Sequence, residues 1–290
     1  MQDINRLLHK IRHGLDTQVN VARLRRHRTL TEAAAGRTVL ITGASSGIGR
    51  AAALRLGAAG ATVLLVARRA DELEQVAAEI EANGGIATAY PCDLNDFDAL
   101  DAMTAKVLAD HGGIDILVNN AGRSIRRRLD ESYDRFHDFE RTMRLNYFAA
   151  VRLILAFAPG MRAHGDGQII NILSLANLYG GPGYAAYVAS KAALDSLSSN
   201  LQAETHTENL RFTSIYLPLV RTDMITANPV YQQATANALT SEEGGDIICD
   251  AIIDRPRRLA PVMGRVAALV DSLLPDRADA IRNARFRQGM

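Results

Sequence analysis

The stretch Thr42-Gly43-Ala44-Ser45-Ser46-Gly47-Ile48-Gly49 is the most informative part of the sequence about the fold, because of the segments on either side of it. The apolar run around 37–42 predicts a β-strand, and the Ala-rich run 50–59 predicts a helix. The glycines between them let the backbone turn tightly and approach a pyrophosphate, whose charge is stabilised by amides at the helix N-terminus. A glycine triplet alone is weak evidence. The order strand, glycine-rich turn, helix predicts a nucleotide-binding unit.

The rest of the chain repeats this alternation of short apolar runs with Ala-rich segments of helical length, which is typical of βαβ units. Runs such as TVLLVA and QIINIL are apolar at consecutive positions, as in strands covered by helices on both faces. Strands are predicted near 37–42, 61–67, 86–91, 114–119, 167–174 and 210–217. The predicted fold class is α/β, a single domain with a doubly wound Rossmann-type parallel sheet of about seven strands.

Composition narrows the class of protein. The net charge of +1 and the 22% of charged residues fit an ordinary globular protein and argue against a nucleic-acid partner. Cys92 and Cys249 are far apart and no Cys/His ligand spacing occurs, so neither a disulfide nor a metal site is predicted. No apolar run reaches the roughly 20 residues of a membrane span, and the N-terminus lacks the apolar region of a signal peptide. The expected location is the cytoplasm.

Two extensions flank the predicted catalytic Rossmann domain, which we place at residues 37–262. Residues 1–36 combine apolar residues at helical spacing with an arginine cluster and predict a basic amphipathic helix. Two kinds of contact stay open for this helix. It could pack on its own subunit or on a dimer partner, or it could bind a membrane surface or an acyl carrier. Residues 263–290 predict a C-terminal helical tail that ends in arginines.

The end of the second predicted strand bears on cofactor choice. NAD-binding proteins place an acidic residue there for the ribose 2′-hydroxyl, whereas this strand ends in Arg68 and Arg69. A guanidinium pairs well with a 2′-phosphate, and Arg50 adds positive charge nearby, so NADP(H) is favoured. The residues alone leave open a solvent-exposed pair neutralised by Asp71 and Glu72.

A second group of residues predicts acid/base chemistry. Tyr187 and Lys191 stand four apart in a predicted helix and therefore share a face. An ammonium beside a phenol favours the phenolate and so lowers the phenol pKa from about 10 toward neutrality, where it can exchange protons. Ser174 ends a predicted strand at the sheet edge where ligands bind. A YxxxK pair alone often occurs by chance. The presence of Ser174 and of the glycine turn in the same chain favours a catalytic role for this pair.

These residues together resemble the short-chain dehydrogenase/reductase family over roughly residues 37–225. The matching motifs are TGASSGIG, NNAG at 119–122, Asn146, Ser174, and Tyr187 with Lys191. The resemblance implies that Ser174 orients the carbonyl, Tyr187 donates the proton, Lys191 holds the ribose and tunes Tyr187, and Asn146 supports a proton-relay water. It also implies that the cofactor contacts Gly43, Ser45, Ser46, Gly47, Ile48, Gly49, Arg68, Asp93, Leu94, Asn120, Ala121, Gly122, Tyr187, Lys191, Val220 and Thr222.

One departure from the family pattern follows the sixth predicted strand. The family usually has Pro-Gly at this point, whereas this chain has Pro218-Leu219. The turn therefore cannot use the torsion angles that only glycine adopts easily. The implied contacts of Val220 and Thr222 with the nicotinamide amide depend on this turn.

Longer segments resemble the bacterial fatty acyl-CoA reductases that form long-chain aldehydes. They are NNAGRSIRR (119–127), FHDFERTMRLNYFAAVRL (136–153), SIYLPLVRTDMI (214–225) and TSEEGGDIICDAIIDRPRRLAP (240–261). This resemblance implies reduction of an acyl-CoA thioester through a hemithioacetal to aldehyde and free thiol. Arg126, Arg127 and Arg128 could then meet the phosphates of coenzyme A, or form a solvated face beside Asp130 and Glu131.

The sequence is also compatible with other functions. A reductase of the same mechanism could act on a ketone, a 3-oxoacyl thioester or a secondary alcohol, because pocket walls set substrate choice. A non-catalytic NADP-binding regulator would share the glycine turn without needing the Ser/Tyr/Lys set, and a membrane-surface protein would depend on residues 1–30. Residues 224–240 predict a mobile lid or a surface crossing. The long predicted helices at 135–162 and 184–206 correspond to subunit contacts in relatives and imply a homodimer or homotetramer.

Overall fold

A computed structural model describes residues 28–222 and 238–287. Its strands are β1 (Thr38–Thr42), β2 (Thr62–Ala67), β3 (Ile86–Pro91), β4 (Ile116–Asn119), β5 (Gly167–Ser174), β6 (Leu210–Leu217) and β7 (Arg258–Leu259). Its helices are α1 (Leu30–Ala34), α2 (Gly47–Ala58), α3 (Ala70–Ala82), α4 (Phe97–His111), α5 (Phe136–Met143), α6 (Ala149–His164), α7 (Ala176–Tyr179), α8 (Ala185–Glu204), α9 (Ser241–Asp254), α10 (Val262–Leu273) and α11 (Pro275–Arg287), with a π-helical turn at Arg144–Phe148 between α5 and α6.

The seven strands form one parallel sheet in the order β3-β2-β1-β4-β5-β6-β7. Consecutive residues of β1 serve opposite faces: Leu40 packs into a core with α4, α6 and α8, and Ile41 into a core with α2, α3 and α9. Both side chains are fully buried, each contributing roughly 2 kcal/mol of apolar burial. The prediction of a doubly wound sheet covered on both faces is confirmed, and it explains the consecutive apolar residues.

Two short elements escaped the sequence prediction. Helix α1 is held by a capping box, in which the Glu32 amide donates to Thr29 Oγ1 at 3.2 Å and the Thr29 amide donates to Glu32 Oε2 at 2.6 Å. Its Ala33 and Ala34 are buried in the same core as α2 and α9. Strand β7 has two residues, too few to give a periodic pattern.

Some predictions fall beyond what the structure describes. Residues 1–27, which hold most of the amphipathic helix predicted for the N-terminal extension, lie outside the described residues. Residues 223–237, which hold most of the predicted lid, lie outside them too. The tail from 263 forms α10 and α11 as far as 287. The division into 1–36, 37–262 and 263–290 stays a prediction.

In the two described ranges, no helix combines the length and the apolar character needed to cross a bilayer. Cys92 and Cys249 are both free and buried. No group of three or more His, Cys, Asp or Glu side chains within those ranges is arranged to hold a metal ion.

Candidate active site

A cleft of about 610 Å³ opens at the carboxyl ends of the strands, next to the neighbouring strands β1 and β4. The strand order reverses between them, because β2 and β3 follow on the far side of β1 and β5 to β7 follow on the far side of β4. Such a switch point is where doubly wound sheets bind ligands. The structure brings most of the predicted site residues together along this cleft. They are Gly43, Ser45, Ser46, Gly47, Ile48, Arg68, Asp93, Leu94, Asn120, Ala121, Gly122, Ser174, Tyr187, Lys191, Val220 and Thr222. Gly49 and Asn146 do not line it.

The glycine turn leads from β1 into α2. Gly43 and Gly47 have φ angles of 67° and 56°, in the left-handed region that favours glycine. Gly49 is required for packing, because a Cβ there would stand 2.3 Å from the Gly43 carbonyl oxygen. The turn therefore presents bare backbone and the N-terminus of α2 to the cleft, an arrangement that suits a pyrophosphate.

The NNAG segment is tied to this turn through Thr42, which sequence reasoning did not single out as a site residue. The Thr42 hydroxyl donates to the Val118 carbonyl at 3.2 Å and accepts the amides of Asn120 and Ala121, both at 3.0 Å. The Asn120 side-chain amide donates to the Thr42 carbonyl at 2.9 Å. Asn120 and Ala121 thus hold the two halves of the cleft in register.

The arginine pair at the end of β2 sits at the rim of the turn. Arg69 donates to the hydroxyls of Ser45 and Ser46 at 3.1 and 3.2 Å and also pairs with Glu72 at 2.5 Å. Arg68 lines the cleft, and no carboxylate of the described residues lies within 4.0 Å of its guanidinium. The alternative in which both arginines are exposed and neutralised therefore holds only for the ion pair of Arg69 with Glu72. Arg68 has no such ion pair among the described residues.

Arg50 contributes less than the sequence suggested. It pairs with Glu79 on α3 and does not line the cleft. Asp93, at the other side of the rim, accepts the amide and the side chain of Asn95 at 3.0 and 2.8 Å. Partial burial works to raise the pKa of Asp93, but the hydrogen bonds from Asn95 and the charges of Arg68 and Arg123 outweigh it and lower that pKa.

Asn146 is buried in the π-helical turn, a distortion found often at functional sites. Its Oδ1 accepts the Arg123 amide at 2.8 Å, and its Nδ2 donates to the Arg123 carbonyl and to Ser190 Oγ, both at 2.9 Å. Ser190 in turn donates to the Tyr187 carbonyl at 2.7 Å. These contacts join α8 to the segment after NNAG, and the proton-relay role implied for Asn146 stays a prediction.

Ser174 and Tyr187 both reach the cleft and are both half-buried. Ser174 Oγ accepts the Ala176 amide at 3.2 Å, which leaves its proton able to be donated to a substrate oxygen. The amide of Ser174 donates to Asn177 Oδ1 at 3.1 Å, and Asn177 donates to the Val188 carbonyl at 3.1 Å. The end of β5 is thereby fixed to the first turn of α8, which carries Tyr187.

Lys191 lies one helical turn beyond Tyr187 and is 3% exposed. Its ammonium donates to the Ile172 carbonyl at 2.7 Å, and a Cβ at Gly122 would stand 3.4 Å from both this ammonium and Asn146 Oδ1. Burial lowers the pKa of Lys191 to about 8. The group is therefore charged at neutral pH but close to its titration.

This low pKa predicts pH-dependent stability of the cofactor-free protein. Between the folded pKa of about 8 and the ordinary lysine pKa of 10.5, the unfolded chain binds more protons, so the free energy of unfolding should rise with pH in that window. In urea unfolding, we expect the free energy of unfolding of the wild type to rise by about 2 to 3 kcal/mol from this group between about pH 7.5 and about pH 10. A Lys191→Met protein should lack this contribution. Parallel stability curves for the two proteins would contradict the assigned pKa.

The turn after β6 is shaped without glycine. Among the described residues, the only non-glycine with positive φ is Arg255, so Leu219 adopts an ordinary conformation. A parallel bridge joins Val220 to Leu239, with the Leu239 amide donating to the Leu219 carbonyl at 3.0 Å. A Cβ at Gly47 would stand 3.2 Å from Thr222 Cγ2. The departure from Pro-Gly therefore leaves Val220 and Thr222 on the cleft wall.

Sequence reasoning missed several residues that line the cleft. They include Arg123, Ser124, Tyr179, Tyr184 and Pro218. Adjacency to NNAG was the available signal for Arg123. Tyr179 and Tyr184 stand in the segment between β5 and α8, where no motif marks them.

Comparison with known proteins agrees with this geometry. The family model described as short chain dehydrogenase matches residues 37–232. The chain is 52% identical over 241 residues to a fatty acyl-CoA reductase of Acinetobacter baylyi, covering 83% of this chain and 81% of that one. It is 52% identical over 262 residues to an uncharacterised oxidoreductase of Mycobacterium tuberculosis, covering 89% and 76%. A metagenomic short-chain oxidoreductase solved in complex with NADP superposes with a TM-score of 0.66 at 34% identity, covering 77% and 93%.

Proposed function

The chain belongs to the short-chain dehydrogenase/reductase family, and on that basis we propose that it is an NADPH-dependent reductase of long-chain fatty acyl-CoA thioesters that forms the fatty aldehyde. The observation that carries the oxidoreductase class is the cleft, which Ser174, Tyr187 and Lys191 line together with the glycine turn. The thioester substrate is supported by the 52% identity to the A. baylyi fatty acyl-CoA reductase.

The cleft fits NADP(H). The glycine turn offers bare backbone amides at the start of α2 for the pyrophosphate, and Arg68 with Arg69 offers guanidinium groups for a 2′-phosphate beside Ser45 and Ser46. Lys191 and the Val220–Thr222 segment would hold the ribose and the nicotinamide amide at the other end. When bound, NADPH supplies the hydride that reduces the carbonyl carbon.

Loss of Arg68 should weaken NADPH far more than NADH. A charge-assisted hydrogen bond contributes about 1.5 to 3 kcal/mol, so we expect Arg68→Ala to raise KM for NADPH by about 10- to 100-fold and to leave that for NADH within about twofold. Arg69→Ala should act in the same direction but less, because Glu72 already shares that charge. Arg50→Ala, which removes a charge paired with Glu79, is the control. Equal effects on both cofactors would contradict the assignment of Arg68.

The residues of the chain divide the acid/base work. Ser174 donates a hydrogen bond to the thioester oxygen and orients it, and the Tyr187 hydroxyl gives its proton to that oxygen as negative charge develops there. The buried Lys191 ammonium stabilises the phenolate left behind. The resulting hemithioacetal collapses to aldehyde and free thiol.

A substrate panel tests this proposal. NADPH oxidation would be followed with palmitoyl-CoA and oleoyl-CoA beside ketone and 3-oxoacyl substrates, with trapping of any aldehyde. We expect aldehyde from the long-chain thioesters. Turnover of ketones alone would keep the mechanism and overturn the thioester assignment, and no turnover with any substrate would favour a non-catalytic NADP-binding regulator.

The enzyme acts as a homodimer or homotetramer, which the mass in solution would test, and a monomeric mass would refute it. The location is cytoplasmic. The basic amphipathic residues 1–30 provide any peripheral membrane contact, and a deletion of them would abolish sedimentation with liposomes while leaving the Tyr187-dependent reaction intact.

A further inference from the structure

The outer rim of the cleft is built from three segments that are distant in sequence. The Arg127 amide donates to the Gly183 carbonyl at 2.7 Å, which joins the loop after NNAG to the segment before α8. Arg282 of α11 donates to the Tyr179 carbonyl and pairs with Asp271 of α10 at 2.6 Å. Since Tyr179 and Tyr184 line the cleft, α11 is placed against the outside of its wall.

The three consecutive arginines of this rim have different surroundings. Arg127 pairs at 2.8 Å with Asp138, which is 3% exposed, and Arg128 pairs at 3.0 Å with Asp130. No carboxylate of the described residues lies within ion-pair distance of Arg126. Two of the three charges are therefore already compensated within the protein.

Arg126 is held by aromatic rings instead. Its guanidinium carbon lies 6.0 Å from the ring centroid of Tyr184 and 6.0 Å from that of Phe286 in α11. The guanidinium carbon of Arg128 lies 5.9 Å from the same Phe286 ring, but Arg128 also has Asp130 as an ion-pair partner. Phe286 can come this close because residue 183 is glycine: its φ is 82°, and a Cβ there would stand 3.0 Å from Phe286 Cε2. Such rings fix the plane of a guanidinium and leave its N–H groups available to an anion.

We propose that Arg126 binds a phosphate group of the coenzyme A portion of the substrate, and that Phe286 is the residue that positions it. This inference rests on the proposed function. Coenzyme A carries phosphates at the end of its pantetheine arm remote from the thioester, and a guanidinium without a carboxylate partner binds phosphate through paired, charge-assisted hydrogen bonds. Arg126 lies beside Tyr184, whereas Arg69 lies beside Ser45 and Ser46, so the two arginines contact different segments of the chain.

The experiment compares two thioesters of the same acid, palmitoyl-CoA and palmitoyl-pantetheine, the second of which has no phosphate. For Arg126→Ala we expect KM for palmitoyl-CoA to rise about 10- to 100-fold, and KM for palmitoyl-pantetheine and Kd for NADPH to stay within about twofold. For Phe286→Ala we expect a rise of about 3- to 10-fold for palmitoyl-CoA alone. Arg277→Ala removes an exposed charge from the same helix α11 and should leave KM for both thioesters unchanged.

The outcomes separate the inference from the proposed function. Equal changes with both thioesters, or no change with either, would overturn phosphate binding by Arg126 while leaving thioester reduction in place. If the wild type reduces no thioester, the proposed function fails, and free coenzyme A is then tested as an inhibitor of whichever carbonyl substrate is turned over. Inhibition that weakens in Arg126→Ala would support the phosphate site, and absence of inhibition would overturn it.

Discussion

Replacement of Tyr187 by phenylalanine should lower kcat by about 10³-fold, with Kd for NADPH within about twofold of the wild type. The variant keeps the ring that lines the cleft and loses only the hydroxyl that gives up the proton. Without that proton, negative charge on the reacting oxygen has only the Ser174 hydroxyl to stabilise it. The measurement is steady-state NADPH oxidation at saturating substrate, together with NADPH titration by fluorescence.

A matched control exists three residues earlier. Tyr184→Phe also removes one hydroxyl from the cleft wall and keeps the aromatic ring. We expect its kcat to stay within about tenfold of the wild type. A similar loss in both variants would mean that Tyr187 acts through packing of the wall and would contradict its role as proton donor.

The second large effect concerns Gly49. A Cβ there would lie 2.3 Å from the Gly43 carbonyl oxygen and 2.7 Å from Asn120 Nδ2, so the start of α2 must move away from β1. We expect Gly49→Ala to lower the free energy of unfolding by about 3 kcal/mol and to weaken NADPH binding by at least about tenfold, because the backbone that faces the pyrophosphate is displaced.

Gly160→Ala is the control for Gly49→Ala. Gly160 lies within α6, and a Cβ there meets no heavy atom within 4 Å. Alanine is the better helix former, so this variant should gain about 0.5 to 1 kcal/mol and bind NADPH normally. Urea unfolding and NADPH titration give both quantities. If Gly49→Ala is as stable as the wild type, the close contact between α2 and β1 is not required.

The parts of this fold that were predictable are those in which local pattern and tertiary structure agree. Consecutive apolar residues in β1 are required because Leu40 and Ile41 enter different cores, so the buried sheet can be read from the sequence. The glycine turn was predictable for the same reason, since few structures other than a strand-to-helix turn need that spacing. Gly49 was predicted to contact the cofactor, but in the structure it packs against the Gly43 carbonyl and does not line the cleft. The sequence does not show this contact between residues six positions apart.

The parts that were not predictable depend on contacts between distant segments. Arg126, Arg127 and Arg128 look alike in the sequence. They differ in the structure because Arg127 pairs with the buried Asp138, whereas Arg126 lies between the rings of Tyr184 and Phe286. The π-helical turn around Asn146 has no pattern of its own within a continuous helical stretch. The low pKa of Lys191 follows from its burial in the folded protein, which the spacing to Tyr187 does not reveal.

Transfer of deuterium from the cofactor to the product tests whether this protein delivers a hydride to the acyl carbon. The protein would be incubated with palmitoyl-CoA and NADPH that carries deuterium at the transferred position of the nicotinamide, and the trapped aldehyde and the free thiol would be quantified. We expect hexadecanal with one deuterium at C1 and one thiol released for each NADPH oxidised, and formation of both products about 10³-fold more slowly with Tyr187→Phe. Oxidation of NADPH without deuterium in the aldehyde, or without release of thiol, would contradict hydride transfer to the acyl carbon.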